Sequence, residues 1–191
     1  WRQEDELIQY LVRRARAATE SERLARAGRD ETALALQALR DSSDYSIAWD
    51  DPNPLVSVRI ASYQNTEALV DRAIASVLNQ THSNWELIVV NDGPNDRTRQ
   101  AIESLGDSRI RYEEFQERSK YPADAHLRWM VAGSPGMNRG ANLALGKWIA
   151  PLDDDDEFEP HHIESLLTLA RTERAEFAYG AIAQVRVLSD E

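Results

Sequence analysis

Residues 85–93 read Trp-Glu-Leu-Ile-Val-Val-Asn-Asp-Gly, a short apolar run that stops on a polar turn. Leu87, Ile88, Val89 and Val90 follow one another without the apolar–polar alternation of a strand that faces water on one side. A run of this length, rich in branched aliphatics and closed by turn-forming residues, reads as a strand covered on both faces. Such strands belong to parallel sheets flanked by helices.

Working outward from this run, the same unit recurs. Upstream, Leu55 to Ser62 (LVSVRIAS) is β-rich, and Thr66 to Leu78 places Leu69, Ala73, Ile74 and Val77 on one helical face. Downstream, Asp96 to Leu105 reads as helix and Arg109 to Phe115 as strand. Residues 116–134 have no period, Pro135 to Leu145 is a helix of small residues, and Trp148 to Leu152 is a strand. Pro160 to Glu173 reads as a further helix and Phe177 to Val187 as a last strand. Strand–helix alternation at this spacing predicts an α/β domain: a mainly parallel, Rossmann-like sheet with helices on both faces.

The flanks divide the chain. Residues 1–40 read as a helical segment, with Ile8, Leu11, Ala15 and Ala18 at three- and four-residue spacings, an interruption at Gly28, and Leu34, Ala35, Ala38 and Leu39 continuing. Packing on the parent domain is the first reading. The second is oligomerisation or the docking of a partner protein, although core alanines make a poor autonomous coiled coil. Residues 41–54, with Ser, Asp, Asn and two prolines, read as a linker that Ile47 and Trp49 pin to a surface. Residues 55–191 form the α/β domain. Because the chain starts at Trp1, a fragment of something longer is expected.

Composition narrows the function. Of 191 residues, 42% are apolar and 29% charged, too aliphatic for a disordered chain. The absence of cysteine excludes a disulfide framework, a thiolate zinc site and a thiol nucleophile. A formal charge of −11 argues against non-specific binding to nucleic acid or anionic lipid. No apolar run approaches the roughly 18 residues of a spanning helix, and no signal peptide opens the chain, so a cytoplasmic location, peripheral to a membrane if the acceptor is lipid-linked, is the expectation.

Ligands of parallel α/β sheets bind at the carboxyl ends of the strands. There the sequence sets Ala61-Ser62-Tyr63-Gln64-Asn65, then Asn91-Asp92-Gly93, then Asp153-Asp154-Asp155-Asp156. No glycine-rich phosphate cradle follows the first strand, so neither a dehydrogenase nor a P-loop enzyme is indicated. Four consecutive aspartates alone would read as a solvated loop capping a helix. Directly after a buried strand, they repel one another and call for a cation. Oxygen ligands suit Mg²⁺ or Mn²⁺, whose coordination substrate phosphates usually complete. A nucleoside diphosphate is the ligand that chemistry suggests.

These residues resemble glycosyltransferase family 2, which has the GT-A fold. Val56 to Asn65 (VSVRIASYQN), Ser76 to Thr81 (SVLNQT) and Trp85 to Gly93 look like the family's opening. Gly136 to Ile149 (GMNRGANLALGKWI) is similar to its A-R-N-x-G…A-x-G-x-[YW]-I segment, and Leu152 to Asp156 with Pro160 matches L-D-x-D-D…P. The resemblance spans about residues 55–188. It implies inverting transfer of a sugar from a nucleotide-diphospho-sugar, a UDP-sugar first among them, to a saccharide or lipid-linked hydroxyl. It also implies Asp155 and Asp153 as metal ligands, Asp154 beside the ribose or sugar, and Asp92 accepting a nucleobase N–H. Tyr63 would lie beside the base, Ala61 and Ser62 would line its pocket, and Arg139 would be a candidate diphosphate contact. Lys120 and Arg128 are not separated from one another as phosphate partners, and His161, His162 and Trp148 read as structural. Arg59, Ala61, Asn91 and Met137 depart from the family pattern. The catalytic base and acceptor half are expected beyond Glu191. Rival readings are a non-catalytic assembly module of the same fold, a nucleotidyltransferase, which Ala61 to Asn65 disfavours by lacking Gly, Arg and Lys, and an acidic Ca²⁺-binding domain, whose loop spacing is absent.

Overall fold

The computed structural model of the chain describes residue 26 and residues 28–183. Two compact units divide it, Trp1–Ile47 and Ala48–Glu191. In the first, the helix α1 covers 28–40, with Gly28 itself helical and Leu34 and Leu39 exposed. The part of the helical expectation that falls on residues 1–25 lies outside the described residues. The stretch expected as linker carries a helix, α2 (Ser43–Asp50).

The second unit alternates as expected: β1 (Val56–Ser62), α3 (66–78), β2 (Trp85–Asn91), α4 (Asp96–Leu105), β3 (Ile110–Glu114), α5 (Ala125–Val131), α6 (Ser134–Leu143), β4 (Trp148–Asp153) and α7 (His162–Glu173). The four strands form one sheet in the order β3-β2-β1-β4, and every pairing is parallel. β2 lies inside it, and Leu87, Ile88, Val89 and Val90 are fully buried, which is why that strand needs no polar alternation. Pro151 falls in β4, paired with β1 on one side only among the described residues, where its missing N–H costs no ladder bond.

Leu69, Ala73, Ile74 and Val77 of α3 are buried against the sheet, the four positions its periodicity selects. The helix is not uniform: Leu69–Ile74 takes the wider π form between α-helical Thr66–Ala68 and Ala75–Leu78. α6 packs on β1 and β2 through small residues. A methyl group on Gly136 would stand 3.0 Å from the Ala61 Cβ, and one on Gly140 3.2 Å from the Arg59 Cβ. Glycine at both positions lets helix and sheet approach this closely without displacing either neighbour.

At the domain's other side, Trp49 is buried and meets Trp148 edge-on, with ring centroids 6.2 Å apart. Trp148 Nε1 donates to the Ala48 carbonyl at 2.9 Å, and Arg171 Nε donates to the Trp49 carbonyl at 2.9 Å. Trp49 is thus pinned as expected, whereas Ile47 stays exposed.

Two further expectations are corrected. Residues 116–134 are not wholly irregular, because Asp124 caps α5 by accepting from the Leu127 N–H at 2.9 Å. Residues 177–183 form no strand, and Phe177, Tyr179 and Ile182 are exposed. β-rich composition yields a strand only where a sheet edge receives its hydrogen bonds, and no described residue pairs with 177–183. Residues 184–187 of that expected strand lie outside the described residues. No helix among the described residues is long and apolar enough to cross a membrane.

Candidate active site at the carboxyl edge of the sheet

Register brings the three strand ends level. Ser62 lies opposite Asn91, and Ala61 opposite Asp153. The loops after β1, β2 and β4 therefore leave the sheet side by side, as parallel pairing requires. They are also bonded to one another. Asp92 N donates to the Ser62 carbonyl at 2.8 Å, and Ser62 Oγ donates to Asp154 Oδ2 at 2.7 Å. Ser62, Asp92 and Asp154, expected in one pocket from sequence, are thus brought together.

The acidic loop is held from outside as well. Arg72, in the π segment of α3, donates through Nη1 to the Asp155 carbonyl at 2.9 Å. The buried Gln80 side chain donates to the Glu159 carbonyl at 2.8 Å and accepts from Ile163 N at 3.0 Å. Gln80 thereby fixes the chain between the aspartates and α7. Among the described residues neither the Asp153 nor the Asp155 carboxylate has a hydrogen-bond donor. Partial desolvation, then the charges of Asp156, Asp155 and Asp154, push the Asp153 carboxyl above its ordinary range, with Arg59 opposing. Among the described residues no three His, Asp or Glu side chains form a closed cage. Asp153 and Asp155 are a hard-oxygen donor pair that a ligand's phosphates would have to complete.

Asp92 is the most constrained acid of the group. It is buried, accepting at Oδ1 from Ser119 N at 2.9 Å and at Oδ2 from the Tyr121 hydroxyl at 2.7 Å. Burial alone would raise its pKa, but the hydrogen bonds from Ser119 and Tyr121 and the Arg118 charge outweigh that and hold it below the usual carboxylate value. Gly93, at φ +117°, turns the chain beside it, and a methyl group there would meet the Arg118 backbone nitrogen at 3.3 Å. The Arg118 guanidinium lies 3.9 Å from the centroid of the Tyr63 ring.

A depressed pKa means stabilisation that is complete above the unfolded carboxylate's pKa of about 3.9 and is lost as pH falls through the lower folded value. Asp92→Asn is expected to lower stability by about 2 kcal/mol at pH 7, the cost of charge-assisted bonds one of which now meets an amide N–H. The gap from wild type should close below about pH 4 in urea titrations. A gap independent of pH would show that the carboxylate charge does not hold this loop.

The remaining candidates are placed plainly. Ala61 packs under Gly136, so its side chain serves the helix–sheet contact. Arg139 binds Glu113, with Nε at 2.9 Å and Nη2 at 2.7 Å, and is not brought to the aspartates. His162 stacks on Phe158 with centroids 4.1 Å apart, and His161 lies beside Thr81 and Glu164. Arg118, Ser119 and Tyr121 escaped the sequence reading. They sit in an aperiodic stretch, and the one available signal was the aromatic–basic cluster Arg118 to Tyr121 itself.

A sequence model described as Glycosyl transferase family 2 matches residues 57–190. The chain belongs to glycosyltransferase family 2. Among its family 2 relatives, it is 34% identical over 126 residues to the UDP-Glc:alpha-D-GlcNAc-diphosphoundecaprenol beta-1,3-glucosyltransferase WfgD of Escherichia coli, covering 66% of this chain and 45% of that protein. It is 33% identical over 117 residues to the putative colanic acid biosynthesis glycosyl transferase WcaA of Escherichia coli K12, covering 60% of this chain and 37% of that one. The chain thus spans less than half the length of either relative. The crystal structure of S. aureus TarS 1-349 in complex with UDP matches with a TM-score of 0.51 at 20% identity, over 62% of this chain and 33% of that chain. At that identity the likeness shows the fold, the GT-A arrangement expected from sequence.

Proposed function

We propose that this chain is the donor-binding part of an inverting, metal-dependent glycosyltransferase. It takes a nucleotide-diphospho-sugar, a UDP-sugar first among candidates, at the carboxyl edge of its sheet. The observation that carries the reading is the convergence of Tyr63, Asp92 and the Asp153–Asp155 acids on three adjoining parallel strand ends. Tyr63 offers a ring face for the nucleobase, and Asp92 offers a carboxylate for a ring N–H. The hydrogen bond from Ser62 orients Asp154 toward the ribose or sugar. Asp153 and Asp155 are the residues that would hold Mn²⁺ or Mg²⁺, and such an ion, when bound, offsets negative charge on the departing diphosphate. Arg139 is already neutralised by Glu113 and is given no part in diphosphate binding. None of these residues is assigned as the base that takes the acceptor's proton. The acceptor is a saccharide or lipid-linked hydroxyl, in keeping with the lipid-linked acceptor in the printed name of WfgD.

Calorimetric titration of the chain with UDP and with GDP, in Mn²⁺ and in EDTA, tests this. UDP is expected to bind in Mn²⁺ and to weaken at least roughly tenfold in EDTA, as expected for a site whose acids hold phosphate through the ion. A folded chain that binds neither nucleotide in either buffer would sink the proposal.

A further inference from the structure

Two side chains and one backbone N–H of the 118–121 segment occupy the two features assigned above to the nucleobase. The planar Arg118 guanidinium lies 3.9 Å from the Tyr63 ring centroid, the contact a stacked base would make. Ser119 N and the Tyr121 hydroxyl donate to the two Asp92 oxygens at 2.9 and 2.7 Å, as a base N–H would. Arg118 also lies 5.7 Å from the Tyr121 ring, so the segment is internally tied. Gly93 eases its passage, because the Arg118 backbone nitrogen lies only 3.3 Å from where a Cβ at 93 would stand.

We propose that residues 118–121 are a built-in competitor for the nucleobase: a strap that imitates its flat face and its ring N–H, and that a nucleotide must displace. The proposal rests on the nucleotide-sugar reading of the site. Physically, a base cannot enter between groups 3.9 Å apart, since stacking on Tyr63 needs that same layer. Arg118 has to leave the ring. A carboxylate has further lone pairs, so the Ser119 bond can persist while the Tyr121 hydroxyl gives way. The strap therefore lowers apparent nucleotide affinity by the fraction of chains in which it is closed. Arg118 and Lys120 are exposed already. Displacement instead frees the Arg118 and Tyr121 side chains that tie the segment down, so the backbone around Lys120 gains the mobility a protease needs.

The sign of the effect makes the test sharp. Were Arg118 a phosphate or base ligand, its removal would weaken binding. As a competitor, its removal strengthens it. UDP in Mn²⁺ is expected to bind Arg118→Ala ~3- to 10-fold, and Tyr121→Phe at least ~10-fold, more tightly than wild type, the ranges that one cation–π contact and one hydrogen bond to an ionised carboxylate supply. Tryptic cleavage after Lys120 in the wild-type chain should accelerate on adding UDP with Mn²⁺, relative to cleavage at its other sites. UDP binding that is unchanged or weaker in both variants, with cleavage after Lys120 slowed by ligand, overturns the strap and leaves the nucleotide site standing. No UDP binding by wild type or either variant overturns the nucleotide reading and the strap together.

Discussion

Gly146→Ala is expected to destabilise the domain by about 3 kcal/mol or more, the range of overpacking that cannot relax. A methyl group at 146 would lie 2.5 Å from the Leu55 carbonyl oxygen and 2.8 Å from both the nitrogen and the Oγ of Ser57. Those atoms belong to the entry of β1, which is paired on both sides, so they cannot retreat. The Gly146 N–H donates to Ser57 Oγ at 2.8 Å, and that hydroxyl donates to Glu86 Oε1 at 2.6 Å. Glu86 Oε1 also accepts from Leu145 N at 2.6 Å, so the turn into β4 is bonded to both β1 and β2. Displacing Gly146 breaks that junction. Gly106→Ala is the control: its φ is +64° with open space around the Cβ position, so only about 1 kcal/mol of left-handed strain is expected. Urea midpoints for the two variants measure the contrast. A Gly146→Ala midpoint no lower than that of Gly106→Ala would refute the steric argument.

The second large effect concerns binding. Asp155→Ala is expected to abolish most of the Mn²⁺-dependent gain in UDP affinity, a loss of at least about tenfold or 1.4 kcal/mol. It should do so without loss of stability. Arg72 holds the Asp155 carbonyl, not its carboxylate, and Ser62 holds Asp154, so the loop keeps both ties when the side chain is removed. Deleting one of four like charges also relieves the repulsion that pushes Asp153 upward. Calorimetry in Mn²⁺ and in EDTA, beside a thermal melt, separates the two readouts. Equal UDP affinity in mutant and wild type, with metal dependence intact, would remove Asp155 from the ion.

How much was legible in the sequence differs by element. The helix over Asp96–Leu105 and the buried face of α3 follow from apolar spacing, because neighbours along a helix are neighbours in sequence. The all-buried β2 follows from its unbroken run. The acids after β2 and β4 were found because parallel α/β sheets bind ligands at strand ends, a rule that needs only strand positions. α2 was missed because Ser, Asp and Tyr carry little periodic signal, and its anchor is the packing of Trp49 on Trp148, 99 positions on. The strand expected from Phe177 failed among its described residues for the opposite reason, since β propensity without a paired edge specifies nothing.

By itself, then, the sequence determined the alternation of elements, the buried faces, and the family to which residues 57–190 belong. Each of these is written in short-range pattern or in the order of motifs. Only the tertiary structure decided which groups those acids meet. Arg139 turns to Glu113, Arg72 reaches the Asp155 carbonyl across 83 positions, and Arg118 lies on Tyr63 across 55. Such contacts depend on where the chain returns after a loop. Loop closure leaves little periodic trace, so a charged side chain's partner stays undetermined until the backbone around it is fixed.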